Sequence, residues 1–133
     1  MVARETVETD VLVIGAGGAG MRAAIEASDN GASVILVGKT LRGKAHTAMA
    51  EGGIAAALGN VDEEDSWEQH YADMMRDGQW TNDYRLATQL AQDAPEIIKE
   101  LESYGAIFDR TDEGNIQQRA FGAHTYKRTC HIG

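Results

Sequence analysis

Three glycines near the beginning of the chain have the spacing of a phosphate-binding turn. Gly15, Gly17 and Gly20 satisfy the pattern G-x-G-x-x-G. In this pattern the first glycine permits a tight turn, the second lets a pyrophosphate approach the backbone, and the third lets the next helix pack closely on the preceding strand. Free N–H groups at the start of that helix attract phosphate oxygens. The turn is therefore predicted to bind a dinucleotide, and a purely structural turn is the alternative. The intervening residues of this candidate site are Ala16, Gly18 and Ala19.

A second candidate for chemistry is a histidine in a stretch of small residues. His46 is followed by Thr47 and, a few residues further on, by Gly52 and Gly53. An imidazole that is neutral near physiological pH can act as a nucleophile toward an activated methyl group of a flavin. Consecutive glycines allow the backbone to lie against a flat ring without a Cβ clash. Without further context, the residue types alone favour a surface histidine that has no chemical role.

The glycine turn lies between elements that can position it. The run from Asp10 to Ile14 is short, apolar and rich in β-branched residues, which predicts a buried strand. A helical pattern follows the glycines and ends at Asn30-Gly31, since both residues tolerate the left-handed conformation. Ser33 to Val37 predicts a second buried strand, so the segment forms a βαβ unit with a right-handed crossover. The buried face of the helix is predicted to contain Met21, Ala24, Ile25 and Ser28.

The residues after the second predicted strand argue against a plain NAD site. Many dinucleotide folds have an acidic residue there that binds ribose hydroxyls, whereas this chain has Gly38, Lys39 and Thr40. Lys39 and Thr40 are candidates for binding ribose or phosphate. Residues 38–58 are rich in small residues and lack a clear period, which predicts a long ordered loop with a short helix near Thr47 to Glu51. A loop of this length inside a compact domain is usually functional.

A helix is predicted after an acidic turn in the middle of the chain. Ser66 and Gln69 form a capping-box pattern, and the helix continues to about Asp77. The acidic residues from Asp62 to Asp65 are interpreted as a solvated turn before it. The apolar stripe of this helix is predicted to contain Trp67, Tyr71, Met74 and Met75.

A further helix and a hairpin are predicted in the last third of the chain. The helix begins near Thr81 or Asn82, is interrupted at Pro95 because proline lacks a backbone donor, and ends at Gly105. Segments 106–108 and 116–118 flank a turn-like sequence and are predicted to pair as a hairpin. The buried face of the segment after the proline is predicted to contain Ile97, Ile98, Leu101 and Tyr104.

The composition indicates a globular protein that is not directed to nucleic acid. The 133 residues suffice for about one domain, and 43% of them are hydrophobic. The net charge of −9 disfavours nucleic acid, because phosphate backbones attract basic surfaces. No apolar run approaches the ~20 residues that span a bilayer, and no targeting segment is recognised. Cys130 is the single cysteine, so no internal disulfide is possible and a reducing cytosolic compartment is expected.

The histidine stretch and the glycine turn together resemble the flavoprotein subunits of succinate dehydrogenase and fumarate reductase. In that family the pattern H-T-x-x-(A/S)-(Q/E)-G-G follows the glycine turn at the same separation, and residues 46–53 match it. The resemblance implies a fold of the α/β class: a Rossmann-like FAD-binding domain with a parallel sheet, incomplete here and with inserted helices. It also implies that FAD is joined covalently to His46 through its 8α-methyl group. The FAD-binding residues implied beyond the glycine turn are Gly38, Lys39, Thr40, Lys44, Ala45, His46, Thr47, Ala50, Glu51, Gly52 and Gly53.

A later segment resembles the substrate side of the same family. Residues 118–124 are similar to the family pattern R-(P/N)-F-G-G, although Ala120 and Ala123 depart from it. The resemblance places Phe121 over a dicarboxylate, with the backbone of Gly52 nearby, and simple core packing is an equal alternative for Phe121. The catalytic residues themselves are expected to come from other parts of the family's polypeptide. The remaining histidines and the cysteine lack ligand-like spacing, and no metal site is expected: His70, His124, His131 and Cys130.

The resemblance implies an oxidoreductase that interconverts succinate and fumarate by hydride transfer to or from FAD. The cofactor supplies the hydride chemistry, and the protein supplies position and electrostatics. The implied partners are an iron–sulfur protein subunit, which receives the electrons, and membrane anchor subunits that exchange them with quinone. The implied location is the cytoplasmic side of a prokaryotic membrane. Because only the family's first part is matched, residues 1–133 are expected to be the N-terminal portion of an FAD-binding domain, a fragment that is inactive alone.

Two other functions remain open from the sequence. A soluble FAD-dependent fumarate reductase or an L-aspartate oxidase would share the fold, but the latter lacks the linking histidine, so His46 argues against it. A nucleotide-binding or interaction module without catalytic activity is the alternative if the gene ends at Gly133.

Overall fold

The computed structural model describes residues 5–39, 41 and 43–133, which form a mixed α/β structure. The chain divides into two compact units, Met1–Glu51 and Gly52–Gly133, called unit 1 and unit 2 below. No helix in the described ranges has the length and apolar character that crossing a membrane requires.

Unit 1 contains the βαβ unit that the sequence predicts. Strand β1 spans Val11–Ile14, helix α1 spans Gly18–Asp29, and strand β2 spans Val34–Val37. The strands are parallel, with Val11 opposite Val34, as predicted. Helix α1 begins within the glycine cluster and ends before Gly31, whose φ of 84° places it in the left-handed region. A single 3-10 turn at His46–Met49 takes the place of the short helix predicted near Thr47 to Glu51.

The prediction that both strands of unit 1 are buried is wrong. Leu12 is 56% exposed and Ile14 is 82% exposed, and the large apolar residues of β2 are also partly exposed. Helix α1 has no buried residue, so its predicted buried face is also incorrect. The reason is geometric, since one helix can cover only one face of a two-stranded sheet. The remaining face and both sheet edges therefore stay accessible.

Helices α2 and α3 lie in unit 2. Helix α2 spans Trp67–Asp77, and the Ser66 hydroxyl accepts a hydrogen bond from the Gln69 N–H at 3.3 Å, as the capping pattern predicts. Helix α3 spans Tyr84–Ser103 and continues through Pro95, contrary to the predicted interruption. Packing on a regular apolar face compensates for the donor that proline lacks. The buried residues of α3 recur at helical spacing: Ala87, Ala91, Ala94 and Ile98.

The predicted buried faces of these helices are only partly correct. Ile98 is buried, but Ile97 is 39% exposed and Tyr104 is 55% exposed. On α2 the predicted apolar stripe contributes only Met75 to the buried positions. The other buried residues of α2 are polar, His70 and Asp73.

Three short strands complete unit 2. Strands β3 (Ile54–Ala55), β4 (Gln118–Arg119) and β5 (Thr129–Cys130) form an antiparallel sheet in the order β3-β5-β4. The predicted hairpin is present as a bridge between Arg110 and Ile116, rather than as pairing of the segments that the sequence indicated. The core of unit 2 consists of buried residues from helix α3, the hairpin, strand β5 and the residue after β3: Ala56, Ala94, Ile98, Phe108, Ile116 and Cys130.

A buried cluster of charges lies beside this core. The Arg128 side chain is fully buried, and its guanidinium contacts Asp65 at 2.8 Å and Asp73 at 3.0 Å. Asp62 accepts a hydrogen bond from the Lys127 N–H at 2.7 Å. The interpretation of Asp62 to Asp65 as a solvated turn is therefore wrong for Asp65. The cation that pairs with Asp65 is Arg128, which lies 63 positions further along the sequence, so a local sequence pattern cannot reveal the pair.

Candidate functional site

A cleft of about 590 Å³ in unit 1 brings the two sequence motifs together. One wall is the glycine turn, residues 15–17, and another is the segment after β2, residues 37–39. Residues 44–46, which include the histidine, form a third wall, and Ile14 and Met49 complete the lining. The glycine turn and the histidine thus line one cavity although they are about thirty positions apart in the sequence.

The glycine turn has the backbone geometry that its pattern requires. Gly15 has a φ of 119°, which favours glycine, and its N–H donates to the Val37 carbonyl at 2.7 Å. A Cβ on Gly20 would overlap the carbonyl oxygen of Gly15, so only glycine allows the helix to approach the turn this closely. No heavy atom lies within 4 Å of the position that a Cβ on Gly15 would occupy. Space for a ligand is therefore present beside the turn.

Thr47 connects the histidine stretch to the glycine turn. Its hydroxyl accepts a hydrogen bond from the Gly18 N–H at 3.0 Å, at the first residue of α1. A Cβ on Gly18 would lie 3.1 Å from the Thr47 methyl carbon, so this contact also depends on a small residue. The neighbouring 3-10 turn is stabilised by a bond from the Ala48 N–H to the Ala45 carbonyl at 3.0 Å. Thr47 thus fixes the position of His46 relative to the start of α1.

The lining of the cleft fits the phosphates of a dinucleotide. Lys39 and Lys44 lie on its walls, and none of the described lining residues is acidic. The N-cap residue of α1 is Gly17, which has no side chain, so the first-turn N–H groups other than the one that donates to the Thr47 hydroxyl remain for an anion. His46 is exposed and accessible to a ligand in the cleft.

Several predicted FAD-binding residues lie away from this cleft. Gly18 and Gly20 belong to the first turn of α1 together with Ala19, and they support the glycine turn rather than line the cavity. Ala50 and Glu51 are exposed and follow the 3-10 turn. Thr40 lies outside the described residues. Gly52 and Gly53 belong to unit 2.

In unit 2, Phe121 packs on Gly52 at the surface. A Cβ on Gly52 would lie 3.2 Å from the Phe121 Cζ atom, so the ring fits against the bare backbone. Phe121 remains 55% exposed, which contradicts the core-packing alternative. Gly53 has a φ of 99°, and a Cβ there would overlap the Cys130 carbonyl oxygen. The close packing of the Gly53 backbone on the Cys130 backbone is a structural reason for glycine at this position, in addition to the predicted contact with the flat flavin ring.

Arg119, two positions before Phe121, has no role among the sequence-based predictions. Its Nη2 donates a hydrogen bond to the Gly52 carbonyl at 2.9 Å, and its Cζ lies 5.9 Å from the centre of the Phe121 ring. The sequence did offer one signal for this contact: Arg119 and Phe121 are two positions apart, and in an extended segment this spacing brings two side chains to the same side. The contact with Gly52 joins residues 67 positions apart, so no local pattern predicts it.

Two buried side chains of unit 2, Asp73 and His70, have strongly shifted pKa values. Burial raises the pKa of Asp73, but hydrogen bonds from Thr125 and Gln69 and the charge of Arg128 outweigh it, and the pKa falls to about 2. Burial, and next the charge of Arg128, lower the pKa of His70 to about 4. At neutral pH Asp73 is therefore ionised and His70 is neutral. The described residues contain no group of three or more side chains that could hold a metal ion.

Comparison with known proteins assigns this fold to a family. Residues 10–133 match the FAD binding domain family, and the chain belongs to that family. The family assignment agrees with the cleft, in which a glycine turn and basic residues suit a dinucleotide.

The relatives within this family are flavoprotein subunits. The chain is 51% identical over 130 residues to a fumarate reductase (CoM/CoB) subunit of Methanothermobacter marburgensis, covering 97% of this chain and 24% of that protein. It is 42% identical over 120 residues to a mitochondrial succinate dehydrogenase [ubiquinone] flavoprotein subunit of Xenopus laevis, covering 90% and 18%. A solved structure of Mycobacterium smegmatis Sdh1 in complex with UQ1 superposes with a TM-score of 0.91 at 58% identity, covering 94% and 21%. The resemblance to succinate dehydrogenase and fumarate reductase flavoproteins is confirmed, and the chain spans about a quarter or less of their length.

Proposed function

We propose that this chain is the N-terminal, FAD-binding part of a flavoprotein subunit that interconverts succinate and fumarate. The observation that carries the proposal is the cleft of unit 1, where the glycine turn and His46 line one cavity and Thr47 joins them. The relatives named for succinate dehydrogenase and fumarate reductase supply the substrate class.

Each wall of the cleft has a separate part in this proposal. The backbone of Gly15 to Gly17 and the N-terminus of α1 bind the pyrophosphate, and Lys39 and Lys44 balance its charge. His46 is the point of covalent attachment to the 8α-methyl group, and Thr47 holds the histidine in place. Bound FAD supplies the two-electron chemistry of hydride transfer. Five further residues are also proposed to contact FAD, although they are not among the described residues that line the cleft: Thr40, Ala50, Glu51, Gly52 and Gly53.

The substrate side of the proposal rests on unit 2. The exposed ring of Phe121 on the backbone of Gly52 offers a flat apolar surface for the carbon chain of a four-carbon dicarboxylate. The short carbon chain of such a substrate requires an apolar surface, and its two carboxylates require cationic groups nearby. Arg119 lies beside the ring, and the cationic groups that bind the carboxylates are expected from other parts of the family's polypeptide.

The proposed assembly follows the relatives. Electrons pass to an iron–sulfur protein subunit, and membrane anchor subunits exchange them with quinone on the cytoplasmic side of a prokaryotic membrane. The names of the Xenopus relative and of the Mycobacterium smegmatis structure, which mention ubiquinone and UQ1, support a quinone. A fumarate reductase without membrane partners is the second candidate, because the Methanothermobacter relative is named for CoM/CoB instead.

Anaerobic addition of succinate to the flavin-loaded holoenzyme tests the proposal. Succinate is expected to bleach the absorbance of the oxidised flavin, and fumarate is expected to restore the absorbance of the reduced flavin. Butyrate is the control, because it has four carbons but only one carboxylate. A flavin that responds to neither dicarboxylate, or to butyrate equally, would contradict the proposed substrate class.

A further inference from the structure

We propose that Arg119 is a positioning residue that holds the Gly52 backbone and the Phe121 ring together as one substrate-binding surface. This inference rests on the proposed function, because the surface is the one assigned to the dicarboxylate. The Arg119 guanidinium contacts both of the other residues: it lies 2.9 Å from the Gly52 carbonyl oxygen and 5.9 Å from the centre of the Phe121 ring.

The hydrogen bond from Arg119 fixes the orientation of a peptide group. The peptide that joins Gly52 and Gly53 is planar and trans, so its C=O and N–H point in opposite directions. When Arg119 binds the Gly52 carbonyl, the Gly53 N–H is directed away from the guanidinium. Glycine at both positions leaves this peptide few intrinsic restraints. The guanidinium therefore supplies a restraint that the glycine pair lacks.

The strand that carries Arg119 gives the restraint a rigid base. Arg119 is the last residue of β4 and lies opposite Thr129 of β5. Gly53 packs so closely on β5 that a Cβ would overlap the Cys130 carbonyl oxygen. Strand β5 thus restrains Gly53, and Arg119 restrains Gly52. Phe121, two residues beyond Arg119, then packs on a backbone whose position is already set.

The environment of Arg119 leaves one of its hydrogen-bond donors unsatisfied. Its Nε is buried and has no hydrogen-bond partner among the described residues, although a buried unsatisfied donor is unfavourable. No carboxylate among the residues that the structure describes forms an ion pair with Arg119. The side chain is instead committed to a carbonyl and an aromatic ring.

Arg85 provides a matched control in the same unit. Its Cζ lies 5.8 Å from the Tyr84 ring centre, close to the 5.9 Å of Arg119 and Phe121. Arg85, however, is paired with Asp83 at 3.1 Å, is 74% exposed and has no contact with the glycine pair. Replacing Arg85 removes the same charge and the same kind of ring contact without touching the proposed surface.

The experiment compares Arg119→Gln, Arg119→Lys and Arg85→Gln in the flavin-loaded holoenzyme. A misplaced binding surface weakens substrate and transition state together, so Arg119→Gln is expected to raise KM for succinate about tenfold with kcat within about threefold. Arg119→Lys keeps the charge and one donor and is expected to recover most of the loss. Arg85→Gln is expected to stay within about twofold of the unmodified enzyme.

A double substitution tests whether Arg119 acts through the ring. Phe121→Ala and Arg119→Gln together are expected to raise KM by less than the product of the single effects, because both remove the same surface. The inference is overturned if KM of Arg119→Gln equals that of Arg85→Gln, if kcat alone falls, or if the two effects multiply. Should Arg119→Gln not fold, Arg119→Lys carries the test, with an expected KM increase of about threefold over Arg85→Gln. An unmodified holoenzyme that does not respond to succinate would instead contradict the proposed function.

Discussion

The two units of this protein separate the candidate cofactor cleft from the elements that give the chain a core. All buried residues that the structure describes belong to unit 2, including its apolar cluster and the Arg128 charge cluster. Unit 1 contains the cleft, but the described strands and helix of this unit have no buried residue. A candidate cofactor cleft can thus be shaped by backbone geometry and glycine spacing where little apolar surface is buried. Exposed apolar faces such as those of β1 and β2 gain stability when covered.

The largest effect on stability is expected from the buried charges of unit 2. Arg128→Met leaves Asp65 buried without its cation. Asp73 then keeps the ion pair to Arg76 alone, so the substitution is expected to cost about 3–5 kcal/mol of unfolding free energy. Urea denaturation measures this change. Arg85→Met, which removes an exposed ion pair, is the control and is expected to cost at most about 1 kcal/mol. Equal costs for the two variants would mean that the charge cluster does not stabilise unit 2.

A substitution in unit 1 is expected to affect flavin more than stability. Gly20→Ala places a Cβ on the Gly15 carbonyl oxygen and so displaces the glycine turn. We expect the non-covalent affinity for FAD that must precede attachment to His46 to fall by about 100-fold, which corresponds to about 3 kcal/mol. Less of the protein therefore becomes loaded with flavin. Hydrogen exchange in unit 2 should stay unchanged, because its core contains no residue of the turn.

Gly31→Ala is the matched control for this prediction. Gly31 has a φ of 84°, but no heavy atom lies within 4 Å of the position of its added Cβ. The control tests backbone strain alone, and flavin retention is expected to stay near that of the unmodified protein. Loss of flavin in both variants would attribute the effect to general strain in unit 1.

Acid is expected to weaken unit 2 through His70. Its pKa is lowered from 6.5 to about 4 in the fold, so the unfolded chain binds a proton between these values that the folded chain does not. The contribution of neutral His70 is therefore complete above about pH 6.5 and is lost as the pH falls toward 4. Arg128 and His124 disfavour the imidazolium, and Asp73 favours it. The loss is expected to reach about 2–3 kcal/mol.

Unfolding measured against pH in His70→Asn checks this assignment. The variant is expected to lose the part of the slope of stability between pH 6.5 and 4 that His70 contributes. His124, whose pKa burial also lowers, keeps its own part. An unchanged slope would assign the acid sensitivity to other groups, with the ionised Asp73 affected only at still lower pH.

Unit 1 was predicted from the sequence better than unit 2. The order β1, glycine turn, α1 and β2 follows from residues adjacent in the chain, and the observed strand bounds differ from the predicted ones by one residue. The structure also joins the His46 stretch to the turn through Thr47; the resemblance assigned both to one cofactor but did not indicate this hydrogen bond. Burial was misjudged, because an apolar strand looks the same whether or not another layer covers it.

In unit 2 the features that matter connect distant residues. Arg128 binds Asp65 from 63 positions away, and Arg119 binds Gly52 from 67 positions away. No periodicity encodes such pairs, so Asp65 was interpreted as solvated and Arg119 was overlooked. The local signals succeeded where the cause was local, as in the Ser66 cap. Pro95 was misread because tertiary packing of α3 overrides its intrinsic preference.

The central claim is that unit 1 holds FAD through a glycine turn and a covalent bond to His46. The measurement is peptide mapping of the flavin-loaded holoenzyme after acid precipitation and tryptic digestion. Cleavage after Lys44 and Arg76 gives a peptide that contains both His46 and His70, so fragmentation must locate the flavin. His70 is 1% exposed and serves as the internal control.

We predict a yellow peptide whose mass includes FAD and whose fragments place the addition on His46. In His46→Ala the precipitate should be colourless and all released flavin should stay in solution. An unmodified protein whose His46 peptide carries no flavin, or a flavin attached at His70, would contradict this claim.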